Sequence, residues 1–209
     1  MTFASRQDAG IQLGCLLRDE GVAVELVLGL PRGGVVVAAE VARVLQKPLD
    51  VLVVRKIGHP WYREFAVGAL AEPDVVILDE DSLGRNPVGR AQLDGVIAEE
   101  TERLRQYQLE FHRGERPGLA GKSVVLVDDG LATGATMEAA VRAAKKQEAR
   151  SVIVAVPVSS THAMRRLEGV ANDVKALLVD EDFQAVGQYY TEFSQTGDEE
   201  VLALLHSFP

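Results

Sequence analysis

The stretch Val124-Val125-Leu126-Val127-Asp128-Asp129-Gly130-Leu131-Ala132-Thr133-Gly134-Ala135-Thr136 decides how this chain is read. Its aliphatic opening, with Ser123, has the pattern of a strand covered on both faces. The strand delivers two acids to its carboxyl end. A short loop with Gly130 and Gly134 follows, and a helix is expected over Met137 to Gln147. Small residues let backbone N–H groups approach an anion closely, and a helix N-terminus adds positive potential. The Thr133 and Thr136 hydroxyls supply further donors. Gly130 to Thr136 therefore reads as a cradle for a phosphomonoester. Asp128 and Asp129 cannot serve that phosphate, because carboxylates accept hydrogen bonds. They suit vicinal hydroxyls such as those of a ribose. The loop carries no Gly-Lys-Ser/Thr and no dinucleotide fingerprint.

Outward from this segment, strand and helix patterns alternate. Helices are expected over Arg6–Glu20, Val35–Leu45, Arg90–His112, Thr161–Glu168 and Asp198–His206. Buried strands are expected over Val22–Leu30 and Leu49–Val54, further strands over Ser151–Val156 and Val174–Val179, and shorter ones over Ala66–Glu72 and Val75–Asp79. Gly58–Phe65 and Glu80–Val88 read as loops, and Arg90–His112, rich in charge, as a surface helix. The alternation predicts an α/β fold with a doubly wound, mostly parallel sheet flanked by helices. In such sheets ligands bind at the carboxyl ends of the strands, where the informative loops fall.

Two of those loops carry positive charge. Gly29-Leu30-Pro31-Arg32-Gly33-Gly34 lies between a strand and a helix, and its paired glycines invite an anion beside the fixed charge of Arg32. Arg55-Lys56-Ile57-Gly58-His59-Pro60 is a basic strand end, which fits either a solvated terminus or an anion site.

The whole chain sets limits. Its 209 residues suit one domain with an elaboration, and a 47% hydrophobic content is ample for a core. Lys plus Arg is 22 against 31 Asp plus Glu, a net charge of −9 that disfavours nucleic acid as a partner. The single cysteine, Cys15, excludes a disulfide within the chain and suggests a cytoplasmic setting. No apolar stretch reaches the roughly 20 residues that cross a bilayer, and the first ten residues lack the apolar core of a signal peptide. His112, His162 and His206 show no metal-ligand spacing.

Residues 124–136 resemble the phosphoribosyl-pyrophosphate motif of type I phosphoribosyltransferases: an aliphatic strand, two acids, three variable residues, then Thr-Gly-x-Thr. The likeness extends over about Val24 to Val158. It implies that Asp128 and Asp129 hold the ribose 2′- and 3′-hydroxyls and that Gly130, Leu131, Ala132, Thr133, Gly134, Ala135 and Thr136 wrap the 5′-phosphate. Arg32, Gly33 and Gly34 would form the pyrophosphate loop, where a cis peptide is expected at Pro31-Arg32 or Arg32-Gly33. Arg55 and Lys56 would open a flexible catalytic loop. Mg2+ would be held mainly through the substrate, with Asp128 and Asp129 as possible ligands. The resemblance also implies a homo-oligomer, such as a dimer, and a small hood built within 79–121 and 180–209. Phe183 is the candidate for stacking on the acceptor base; Tyr189 and Tyr190 either join it or pack the tail. Glu64 is the candidate general base. Ala132 stands where 6-oxopurine enzymes carry Asp, so the loop is closer to adenine-type enzymes. The implied function is transfer of a phosphoribosyl group to a purine-like nitrogen base. The alternatives are a non-catalytic phosphoribosyl-pyrophosphate sensor and a diphosphokinase, and the second is disfavoured because the chain shows no repeated domain.

Overall fold

The computed structural model describes residues 2–112 and 118–208, the side chains of Glu64 and Asp81 excepted. Helix α1 spans Arg6–Asp19 and is capped by the Ser5 hydroxyl, which accepts from the Asp8 amide. Strand β1 (Leu26–Gly29) leads into α2 (Gly33–Leu45), and β2 (Leu49–Val51) follows. A three-stranded excursion comes next: β3 (Val54–His59), β4 (Tyr62–Ala71) and β5 (Val75–Leu78). Two helices, α3 (Glu80–Arg85) and α4 (Arg90–Phe111), lie between it and β6 (Ser123–Val127). The chain finishes with α5 (Ala135–Lys146), β7 (Ser151–Ser160), α6 (Thr161–Leu167), β8 (Asp173–Asp180), a short 3-10 turn (Val186–Tyr189) and α7 (Asp198–His206).

Five strands form a parallel sheet in the order β2-β1-β6-β7-β8. Its aliphatic runs are explained by burial on both faces. Leu26, Leu28, Val124, Leu126, Val152 and Val154 point into a core shared with α5, while Val27, Val125, Val127 and Ala155 point into a core shared with α1 and α2. The chain leaves β1 in one direction to form β2 and returns on the other side as β6. A crevice therefore opens between the carboxyl ends of β1 and β6. There the Leu30 amide still donates to the Val127 carbonyl at 2.9 Å.

The expected elements recur, but the strand expected over Val22–Leu30 is only Leu26–Gly29, and three further corrections are larger. First, Leu49–Val54 is not one strand: it ends at Val51, and Val54 begins a second, antiparallel sheet, β3-β4-β5. Second, Gly58–Phe65 is not a loop but the far end of the β3-β4 hairpin, paired through Gly58–Ala66 and His59–Tyr62 across a register shift. Trp61 and Tyr62 stay 62% and 68% exposed, so this ribbon lacks the apolar alternation that marks a strand with a buried face. Third, Glu80–Val88 contains α3, capped by the Asp79 carboxylate, which accepts from the Ser82 amide at 2.9 Å.

Helix α4 is less superficial than its charge suggests. Leu93, Val96, Glu100, Leu104 and Phe111 form its buried stripe and pack with Ile57, Val67 and Leu70 of the antiparallel sheet.

Candidate active site

A cavity of about 680 Å³ occupies the crevice between β1 and β6, within the roughly 300–1,000 Å³ typical of small-molecule sites. Three of the segments singled out in the sequence converge on it. The first loop brings Leu30, Pro31, Arg32 and Gly33; the basic strand brings Arg55, Lys56 and Gly58; and β6 brings Asp128 to Gly134, Thr136 and Met137. Helices α2 and α5 both begin at its wall, so two helix N-termini add positive potential there. The Pro31-Arg32 peptide is cis, one of the two positions expected.

The loop after β6 is anchored at defined points. Leu131 is buried; its amide donates to the Val158 carbonyl at 2.9 Å, and its carbonyl accepts from the Ser160 amide at the same distance. This residue therefore extends the sheet, and its N–H is not free for a phosphate. The Ser160 hydroxyl donates to the Ala132 carbonyl at 2.6 Å. Gly134 caps α5 with φ +75, a left-handed conformation that favours glycine. Ala135 is buried, with its amide 3.5 Å from the Thr133 hydroxyl, and does not line the cavity. Gly34 also lies behind the wall, where a Cβ would stand 2.8 Å from Asp128 Oδ1.

Asp128 and Asp129 sit side by side on the floor. Burial, and then the neighbouring Asp129, push the Asp128 carboxyl well above the usual carboxylate range. Burial also raises Asp129, against the opposing pull of Arg6 and Lys56. Arg6 was not foreseen as a site residue. It comes from α1, and its Nε donates to Asp129 Oδ2 at 2.8 Å.

The opposite wall comes from the β3-β4 hairpin and α4. Glu100 accepts from Arg55 Nε at 3.0 Å, Arg55 Nη2 at 2.9 Å and Arg103 Nη1 at 2.8 Å. Glu99 accepts from Arg63 and Arg103, both at 2.7 Å. Arg55 also lies 5.2 Å from the Tyr107 ring centroid. Its charge is thus committed to joining hairpin and helix, whereas Lys56 is exposed. Arg32 makes one longer contact, Nη1 to Asp198 Oδ1 at 3.8 Å.

Arg63, Glu99, Glu100, Arg103, Met137 and Val186 line the cavity without having been singled out in the sequence. One signal was available: Glu100 falls inside the apolar stripe of α4, and a charge there implies a buried partner. Phe183 does not line the cavity. It stacks on Tyr189 at 5.3 Å between centroids, and Val186 reaches the cavity instead. The Glu64 side chain lies outside the described residues. Among the described residues, no three His, Cys, Asp or Glu side chains are grouped to hold a metal ion, and no helix is long and apolar enough to cross a membrane.

The Mycobacterium tuberculosis protein named "Putative phosphoribosyl transferase Rv0571c" is 44% identical over 204 residues, which cover 97% of this chain and 46% of that protein. The chain thus spans about half the length of the curated relatives it matches. The crystal structure of TT1426 from Thermus thermophilus is 43% identical with a TM-score of 0.82, covering 100% of this chain and 99% of that one. Purine phosphoribosyltransferase from Pyrococcus horikoshii, at 18% identity and a TM-score of 0.51, shares the fold over 92% of this chain and 93% of its own. A model of the phosphoribosyl transferase domain matches residues 18–192, from the end of α1 past the acid pair to the tail, and the chain belongs to that family.

Proposed function

We propose that the protein transfers the 5-phosphoribosyl group of phosphoribosyl pyrophosphate to a nitrogen base, purine-like by preference, and releases pyrophosphate. The supporting observation is one cavity that joins an acid pair, a glycine-bearing loop at a helix N-terminus, and Arg32 and Lys56. The 5′-phosphate would lie on the amides and hydroxyls of Ala132, Thr133, Gly134 and Thr136. The sugar hydroxyls would donate to Asp128 and Asp129. Arg32, Lys56 and the Gly33 amide would face the pyrophosphate and take up charge as the C1–O bond breaks.

Two adjacent carboxylates are too few for an all-protein metal cage, but they fit a Mg2+ ion held mostly by substrate oxygens and water. Bound there, Mg2+ would neutralise charge on the leaving group. The protein's own share is positioning. The anomeric carbon gains positive character in glycosyl transfer, and a fixed sugar and phosphate hold it toward the acceptor.

Turnover assays with phosphoribosyl pyrophosphate and a panel of bases test this reading. Product formation with a base lacking the 6-oxo group is expected. Binding of phosphoribosyl pyrophosphate without turnover of any base would favour the sensor, and efficient use of hypoxanthine or guanine would defeat the argument from Ala132.

The acceptor side is tested by Phe183→Ala. If the ring leaves Tyr189 to stack on the base, the acceptor KM rises roughly 5- to 150-fold, from the about 1–3 kcal/mol of a base–aromatic stack. An unchanged KM transfers acceptor recognition to Val186 and the Glu99–Arg103 wall.

A further inference from the structure

Arg6 is 123 residues from Asp129, yet the fold buries the two together: their side chains are 11% and 16% exposed. Three groups fix the guanidinium. Its Nε donates to Asp129 Oδ2 at 2.8 Å, its Nη1 donates to the Ser194 carbonyl at 2.7 Å, and its carbon lies 3.9 Å from the Phe193 ring centroid. Such a planar fork serves several partners at once, which a lysine ammonium on a flexible stem does not.

The surroundings are shaped to admit this contact. A Cβ at Gly33 would overlap Asp129 Oδ2 and stand 2.7 Å from Arg6 Nε. From the tail, the Tyr190 hydroxyl donates to the Asp129 main-chain oxygen at 2.6 Å. Both the carboxylate and the backbone of Asp129 are therefore held. Oδ2 is occupied by Arg6, which leaves Oδ1 as the oxygen turned to other donors. Arg6 itself is not among the residues lining the cavity, so it acts through Asp129.

We propose that Arg6 is a positioning residue of the ribose site: it aims Asp129 at a sugar hydroxyl and ties that carboxylate to the 190–194 tail. The inference rests on reading Asp128 and Asp129 as the ribose acids, so its test separates the two ideas. Calorimetry with ribose 5-phosphate and with inorganic phosphate is run on wild type, Arg6→Gln and Arg6→Lys. Wild type should bind ribose 5-phosphate more tightly than phosphate, and equal affinities would overturn the ribose reading regardless of Arg6. With that preference present, Arg6→Gln should weaken ribose 5-phosphate binding by roughly tenfold or more, the scale of one charge-assisted hydrogen bond. Phosphate binding should stay within about twofold, a split that a general loss of structure would not produce. No change, or an equal loss for both ligands, overturns the role of Arg6. Should Arg6→Gln not fold, Arg6→Lys decides: the preference for ribose 5-phosphate should fall by roughly threefold or more, since the fork is lost while the charge stays. An unchanged preference rejects the proposal.

Discussion

Asp128 and Asp129 are neighbours in sequence but not equivalent in the fold. Asp128 has burial and a like charge against it, and the Asp129 amide and the charges of Lys56 and Arg6 do not outweigh them. Its ionised form costs stability, so Asp128→Asn should raise Tm; a gain of about 1 kcal/mol gives about 2–4 °C in a chain of this size. Asp129 carries the same burial cost but is partly compensated by Arg6 and Lys56, so Asp129→Asn should raise Tm by less than Asp128→Asn does. Differential scanning calorimetry checks both shifts. The double variant should bind phosphoribosyl pyrophosphate roughly tenfold or more weakly, and unchanged affinity would refute the ribose assignment. Lys56 is exposed at the cavity while Arg55 is consumed by Glu100. Lys56→Ala should therefore lower kcat more than it weakens a nucleotide product, which lacks pyrophosphate; equal losses would remove Lys56 from the leaving-group side.

At the scale of elements, one arginine joins three helices. Arg166 of α6 donates to Asp79, the cap of α3, at 2.7 Å and to Glu138 of α5 at 2.8 Å. Burial alone would raise the Asp79 carboxyl, but the hydrogen bonds from Arg166 and the Ser82 amide outweigh it and hold the pKa below the usual value. A depressed pKa stabilises the fold fully above the unfolded value of about 4, and the contribution is lost as pH falls through the lower folded value. Asn still caps a helix, so Asp79→Asn isolates the charge. It should cost about 1–2 kcal/mol at pH 7 and progressively less below about pH 4. Denaturant unfolding across pH checks this, and a constant difference would mean that the charge is not what stabilises the joint. Helix α4 follows the same logic: Glu100 in its apolar stripe is matched by Arg55 and Arg103, so the helix docks on the hairpin through charge as well as through Leu93, Val96 and Leu104.

For the whole molecule, the antiparallel sheet is no separate unit. Ala69 and Ala71 of β4 belong to the same core as Leu126 of β6 and Met137 of α5, and Val35 of α2 packs in one cluster with Ile57 and Leu104. Shared cores couple the two sheets, so thermal unfolding should be a single transition with calorimetric and van't Hoff enthalpies in agreement. Two resolved transitions would show that the hairpin sheet and α4 melt independently.

The residues alone determined the mostly parallel sheet and the loop after β6 at its carboxyl edge; the strand order that opens the crevice came from the tertiary structure. A fully buried strand must be aliphatic on both faces, as Val124 to Val127 is, and a tight turn from a strand into a helix N-terminus favours small residues and glycine, as in Gly130 to Thr136. Those requirements are local, so the chain displays them. The tertiary structure decided the rest. The 58–65 hairpin buries Gly58 and His59 but exposes Trp61, Tyr62, Arg63 and Phe65, so its residues show no period of two; it is held by its own ladder and by Arg63 pairing with Glu99, 36 residues away. Phe183 is turned toward Tyr189 by packing that its sequence neighbours do not encode. Arg6 meets Asp129 only because the first turn of α1 is brought beside the loop after β6, where the tail also arrives, and a contact spanning 123 residues leaves no spacing in the sequence to read.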